Sequence, residues 1–179
     1  EVKIPELILN CSTIDANAFN NLTIGTLVIG ENVTTFSLTN EVEFGVEFTY
    51  GQFANSTIEK VIFQAKELII GHSTENYMDD FRGPFYQTKI GELEIGNNVT
   101  IIPELLFCDA MMKLEELTLQ TERIGAYAFS GENISIGHLT IGENVKVFVE
   151  YSNSDTLFHY WEQFAETTIG TYTYLSNKL

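Results

Sequence analysis

The feature that most constrains this chain is that it repeats itself. IGTLVIGENV from Ile24, IGELEIGNNV from Ile90 and IGHLTIGENV from Ile136 are near-copies of one ten-residue unit. A second unit alternates with it: Leu7-Ile8-Leu9 followed by Ile14, Ala16, Ala18 and Phe19 returns as Leu117-Thr118-Leu119 followed by Ile124, Ala126, Ala128 and Phe129, each displaced by 110 residues without a gap. A fixed pattern recurring every few tens of residues is the signature of stacked architectures, in which no repeat buries its apolar face alone. Weaker copies at Val61-Ile62-Phe63 with Leu68 and at Tyr172-Thr173-Tyr174 bring the count to seven rungs, with leading core residues Leu7, Leu27, Val61, Leu93, Leu117, Leu139 and Tyr172.

In each rung the period-2 alternation sends two apolar residues to one side of a short strand, and stacking at about 4.8 Å per rung joins them into one column under a parallel sheet. The expected fold is therefore a single right-handed solenoid over residues 1–179, of α/β class, with about seven short strands centred on Ile8, Val28, Ile62, Glu94, Thr118, Thr140 and Thr173. Return paths supply the opposite wall, through Ile124, Ala128 and Phe129 in one unit and Val99, Ile102, Leu106 and Phe107 in the other. Few and short helices are expected. Pro103 to Lys113 is the best candidate, because Pro suits a first helical turn and Leu106, Phe107 and Ala110 share a face. Glycines 25, 30, 91, 96, 137 and 142 bracket the strands of one unit and are read as allowing tight corners.

The rung spacings of 34, 32 and 33 residues exceed one repeat and imply insertions, placed at roughly 37–56, 71–88 and 149–167. Gln52-Phe53-Ala54 returns as Gln163-Phe164-Ala165, 111 residues on, so the first and third are read as related β-hairpins.

Asn98 to Leu119, NVTIIPELLFCDAMMKLEELTL, resembles one turn of the BspA-like leucine-rich repeats, with Cys108 near that family's frequent cysteine, and ERIGAYAF from Glu122 and STIDANAF from Ser12 carry its IGxxAF step. The resemblance covers most of residues 4–148 and departs in the insertions. It implies a cell-surface or secreted bacterial protein, or a related eukaryotic microbial one, that acts as an adhesin toward host proteins or neighbouring cells. The lack of an initiator Met and of a signal-peptide pattern is read as a fragment of a longer protein.

Composition narrows the partners. Nine basic against 25 acidic residues give a formal charge of -16, which would repel a phosphate backbone, so nucleic acid and anionic lipid are poor partners. No apolar run approaches the roughly 20 residues of a membrane helix. Cys11 and Cys108 share no metal-site spacing and are read as two buried free thiols about three rungs, or about 14 Å, apart. His72, His138 and His159 lack HExxH, CxxC or GxSxG contexts, so no enzyme, cofactor or metal centre is expected, although a dyad such as His72 with Asp79 remains formally open. Asp79-Asp80 lacks the spaced oxygen ligands of a calcium loop. Six N-x-S/T triplets begin at Asn10, Asn21, Asn32, Asn55, Asn98 and Asn133, which are glycan acceptors only in a eukaryotic secretory setting; several are by-products of the repeated NVT, so they do not by themselves locate the protein.

Two candidate binding surfaces follow. Ile8, Val28 and Ile62 occupy successive outward positions on the sheet, and contiguous exposed apolar surface marks an interaction site unless upstream repeats or an insertion cover it. The insertion from Gly71 to Thr88 mixes Tyr77, Phe81, Arg82, Phe85 and Tyr86, which suits either recognition from a loop or a small satellite core. An extracellular protein, or a glycan, is the expected ligand. The alternative is a passive spacer within a longer surface protein.

Overall fold

The alternating tripeptides become one sheet. The computed structural model describes residues 3–37, 39–43, 46–71, 83–148 and 163–176, and among these are fifteen strands and no helix. In chain order they are β1 (Lys3–Leu9), β2 (Thr13–Ile14), β3 (Thr23–Ile29), β4 (Thr35–Ser37), β5 (Thr39–Glu43), β6 (Val46–Tyr50), β7 (Thr57–Phe63), β8 (Ile69–Gly71), β9 (Lys89–Ile95), β10 (Ile101–Ile102), β11 (Met111–Leu119), β12 (Arg123–Ile124), β13 (Ile134–Ile141), β14 (Val147–Phe148) and β15 (Thr168–Tyr174). Strands β1, β3, β7, β9, β11, β13 and β15 lie side by side in that order, every neighbouring pair parallel. Each carries one of the seven expected strand centres.

The first six rungs are closed by two further sides. The return strands form the ladders β2-β4-β8 and β10-β12-β14, joined by a bridge between Glu67 and Ile101. A turn then leads back to the sheet, and each turn places one phenylalanine on the next. Phe19, Phe53, Phe85, Phe107, Phe129 and Phe164 form a continuous stack with ring centroids 5.6, 4.9, 5.2, 5.3 and 5.4 Å apart, within the favoured range for aromatic pairs. Leu27, Ile29, Val61 and Phe63 from the sheet, Phe36, Ile102 and Ile124 from the return strands and Phe53 to Phe129 from the turns are all fully buried. Hydroxyls lock the column: Ser56 Oγ donates to the Phe19 carbonyl at 3.0 Å, Thr88 Oγ1 to that of Phe53 at 2.5 Å, and Thr167 Oγ1 to that of Phe129. Each of these three hydroxyls is thereby satisfied by the preceding rung.

The helix expected over Pro103 to Lys113 does not form, and with it the α component of the expected class is absent among the described residues. Residues 104–109 are a turn and β11 begins at Met111. Leu105 and Asp109 have φ of 58° and 55°, left-handed values that interrupt any right-handed helix. The amides of Leu105, Phe107 and Asp109 donate to Ala126, Ala128 and Ser130 on the following rung. The Leu106, Phe107, Ala110 spacing reflects three residues lining the core from one turn.

The insertions are shorter than expected. The first is the anticipated hairpin, β5 antiparallel to β6 with Thr39 opposite Tyr50; the interiors of the other two, 72–82 and 149–162, lie outside the described residues, the third expected hairpin among them. Phe53, Phe85 and Phe164, placed inside insertions by the spacing, belong to the stacked turns. The first insertion lies between the return strand β4 and the phenylalanine turn, and residues 72–82 and 149–162 fall at the equivalent place in the chain, after β8 and β14.

Gly25, Gly91 and Gly137 sit within strands, not at corners. A Cβ there would meet the carbonyl oxygens of Pro5, Glu59 and Glu115 at 2.4, 2.6 and 2.6 Å. They permit close approach between rungs, and their recurrence in one unit records that contact.

Candidate functional site: the outer face of the sheet

Because Leu7 and Leu9, Leu27 and Ile29, and Val61 and Phe63 point inward, the residue between each pair must point out. Ile8, Val28, Ile62 and Glu94 are consecutive Cα partners across β1, β3, β7 and β9. The structure therefore brings the three predicted apolar residues together as one row. Ile8 is 60% exposed, and Val28 and Ile62 are half-buried. A polar row runs beside it, with Glu6, Thr26, Lys60 and Glu92 in register.

Two ion pairs lie on the N-terminal half of the sheet. Lys60 Nζ lies 2.9 Å from Glu94 Oε2, closing the row at its fourth rung, and this hydrogen bond to the carboxylate is the main cause holding the lysine above its ordinary pKa. Lys3 Nζ reaches Glu59 Oε1 at 2.7 Å, from the first rung to the third, across Gly25, where no side chain intervenes. Both pairs are substantially exposed and contribute orientation more than stability.

Beyond the fourth rung the face changes character. Thr118, Thr140 and Thr173 form an outward row across β11, β13 and β15, beside Glu116, His138 and Thr171. Both ring nitrogens of His138 are engaged, Nδ1 2.6 Å from Thr171 Oγ1 and Nε2 3.1 Å from Thr173 Oγ1. The C-terminal half is thus polar and hydrogen-bonded within itself, and the N-terminal half carries the unpartnered apolar atoms.

The second candidate surface divides. Tyr77, Phe81 and Arg82 lie outside the described residues. Phe85 is not a ligand contact: it is fully buried between Phe53 and Phe107. Tyr86 is half-buried in the same turn, where its carbonyl accepts the Asn55 amide at 3.0 Å. The insertion hid the fact that Phe85 answers Phe53; the hydroxyl residue three positions after each, Ser56 and Thr88, was the available signal.

Among the described residues the Cys11 thiol donates to the Thr13 carbonyl and the Cys108 thiol to the Asp109 carboxylate. Both cysteines are free, as expected, but Cys11 is exposed where burial was expected, because it sits on the corner just after β1. Burial, then the neighbouring Asp109 carboxylate, pushes the Cys108 thiol up to about 12. Among the described residues no group of three His, Cys, Asp or Glu could hold a metal ion. His72, Asp79, Asp80 and His159 lie outside them. No helix among the described residues is long and apolar enough to cross a membrane.

A parallel sheet closed by return strands and a stacked turn defines a repeat solenoid. The chain belongs to the BspA type leucine-rich repeat family, whose profile matches residues 55–160 in six copies. No curated protein and no solved structure matches it. The family builds surface-associated modules that bind proteins and are generally not enzymes.

Proposed function

We propose that the chain is a non-catalytic extracellular adhesion module that recognises a protein partner through the outer face of its sheet, on the row of Ile8, Val28 and Ile62. The observation that carries this reading is their register: three outward apolar side chains on adjacent strands, Ile8 exposed and Val28 and Ile62 half-buried, with the Lys60–Glu94 ion pair closing the row at its fourth rung. An apolar centre with a charged rim is the anatomy of a protein-binding patch. The partner is a surface or matrix protein of a host or neighbouring cell that offers apolar side chains to this row. A glycan would instead seek planar hydrogen-bonding groups, which the row lacks.

The test is binding of the purified chain to an array of extracellular-matrix proteins and glycans, beside a variant carrying Ile8→Thr, Val28→Thr and Ile62→Thr. Threonine already fills this position in β11, β13 and β15, so the variant keeps its circular dichroism. Truncating a central apolar anchor costs on the order of 1–2 kcal/mol, so protein spots bound by the parent should be lost by the variant. Equal binding by a folded variant removes the row from consideration and turns attention to Tyr77, Phe81 and Arg82.

A further inference from the structure

The six N-x-S/T triplets are distributed in a way their sequence positions do not reveal. All six asparagines are exposed. Asn10, Asn32 and Asn98 stand one to three residues after the last residue of β1, β3 and β9, and Asn21, Asn55 and Asn133 one or two residues before the first residue of β3, β7 and β13. They therefore form two rows, along the two ends of the strands in the seven-stranded sheet. The sheet strands contain no asparagine at all. The three insertion segments contain Asn40, Asn76 and Asn153, followed two residues on by Val42, Met78 and Asp155, so none can be an acceptor.

We propose that these six residues are N-linked glycan acceptors of a chain that passes through a eukaryotic secretory route, and that their oligosaccharides fringe both ends of the strands while leaving the outer sheet face and the insertion corner bare. This rests on the extracellular reading given above. In the transfer, the asparagine Nδ2 forms a bond to the anomeric carbon of a lipid-linked oligosaccharide. The bond from that carbon to the lipid pyrophosphate breaks, the pyrophosphate leaves, and one amide proton goes to base.

The local geometry accommodates the product. The side-chain contacts in the first row, Asn32 Nδ2 to Asn10 Oδ1 at 2.9 Å and Asn98 Nδ2 to Glu31 Oε1 at 3.1 Å, join exposed groups and need only one of the two amide hydrogens. Asn21 and Asn55 sit at φ 58° and 57°, turn conformations that asparagine tolerates and that carry the side chain on an exposed corner. Confinement of every acceptor to these two corners keeps bulky, hydrated chains off the surface through which a partner would dock.

The experiment uses the chain recovered from the cells that make it. Intact cells are labelled with a membrane-impermeant biotin reagent, and the chain is then treated with peptide N-glycosidase F in heavy-oxygen water and read by peptide mass spectrometry. Asn10, Asn21, Asn32, Asn55, Asn98 and Asn133 should be converted to heavy-oxygen aspartate, with labelled sites in both rows. Label in one row only, or in none, overturns the inference. If the unlabelled chain is biotinylated, the surface reading survives; if it is neither labelled nor biotinylated, that reading falls as well.

Discussion

Ile90 is paired with Met112, and not with Leu114, which holds the equivalent place in its own repeat. At this end the two strands are thus offset by two residues from the repeat register, a shift that keeps Ile90 and Met112 on the same buried face. Each strand has one point where two successive residues face outward, Gly91-Glu92 in β9 and Glu115-Glu116 in β11, and the slip puts these kinks out of phase. The ladder between β9 and β11 consequently ends at Met112, while β9 remains paired with β7 through Ile95, and β11 with β13 through Leu119. Leu93 and Ile95 are half-buried where Val61 and Phe63, their partners in β7, are fully buried.

Hydrogen exchange should find this seam. Amides of residues 93–95 and 117–119 are expected to exchange faster than those of residues 27–29 and 139–141 under native conditions, because local opening follows missing hydrogen bonds and contacts. Uniform protection across the sheet would contradict the slip.

The phenylalanine stack should carry much of the coupling between rungs. Phe85→Ala removes the ring between Phe53 and Phe107 and is expected to cost about 3–5 kcal/mol, measured by urea unfolding. A cost under about 1 kcal/mol would show that the column does not bear on stability.

How much of this was legible depended on whether a signal was local. Strand centres were readable because Leu-x-Leu alternation fixes both the strand and its facing side, and all seven appear. The helix at Pro103 was misread because a rung's turn also places three apolar residues close together; what separates the cases is that the Phe107 amide bonds the next rung, a partner no local pattern names. Phe85 was misassigned for a related reason, since an insertion separates it from Ile70 and breaks the five-residue spacing seen from Ile14 to Phe19. The apolar row of Ile8, Val28 and Ile62 follows from the repeats, which set the register; the Lys3–Glu59 ion pair does not, because the two residues are 56 apart.

Glycine substitutions separate close approach from loose packing. Gly137→Ala forces a Cβ to 2.6 Å from the Glu115 carbonyl oxygen, whereas Gly71→Ala brings one only to 3.5 Å from that of Phe36. The first should destabilise by about 1–3 kcal/mol and the second by under about 0.5 kcal/mol, as read from denaturant midpoints.

The two thiols should behave differently. In the folded chain Cys11 reacts readily with a disulfide reagent such as dithionitrobenzoate and Cys108 does not, so one equivalent is titrated natively and two in denaturant. Burial holds the folded Cys108 thiol at about 12, above the ordinary thiol value of 9.0. Its contribution to stability is therefore complete below pH 9 and is lost as pH rises toward 12. A Cys108→Ala variant should lack that part of the alkaline decline, and two fast thiols in the native chain would contradict the packing.

The claim that matters most is that the N-terminal half of the outer sheet face meets the partner. Hydroxyl-radical footprinting of the chain, free and bound to the matrix protein that it captures most strongly on the array, reads side-chain access at each residue. Oxidation of Ile8, Val28 and Ile62 should fall on binding, while the exposed Ile69, 65% open on the return face, stays unchanged. Protection at Ile69 or in 72–82, with Ile8, Val28 and Ile62 oxidised as in the free chain, would contradict the account.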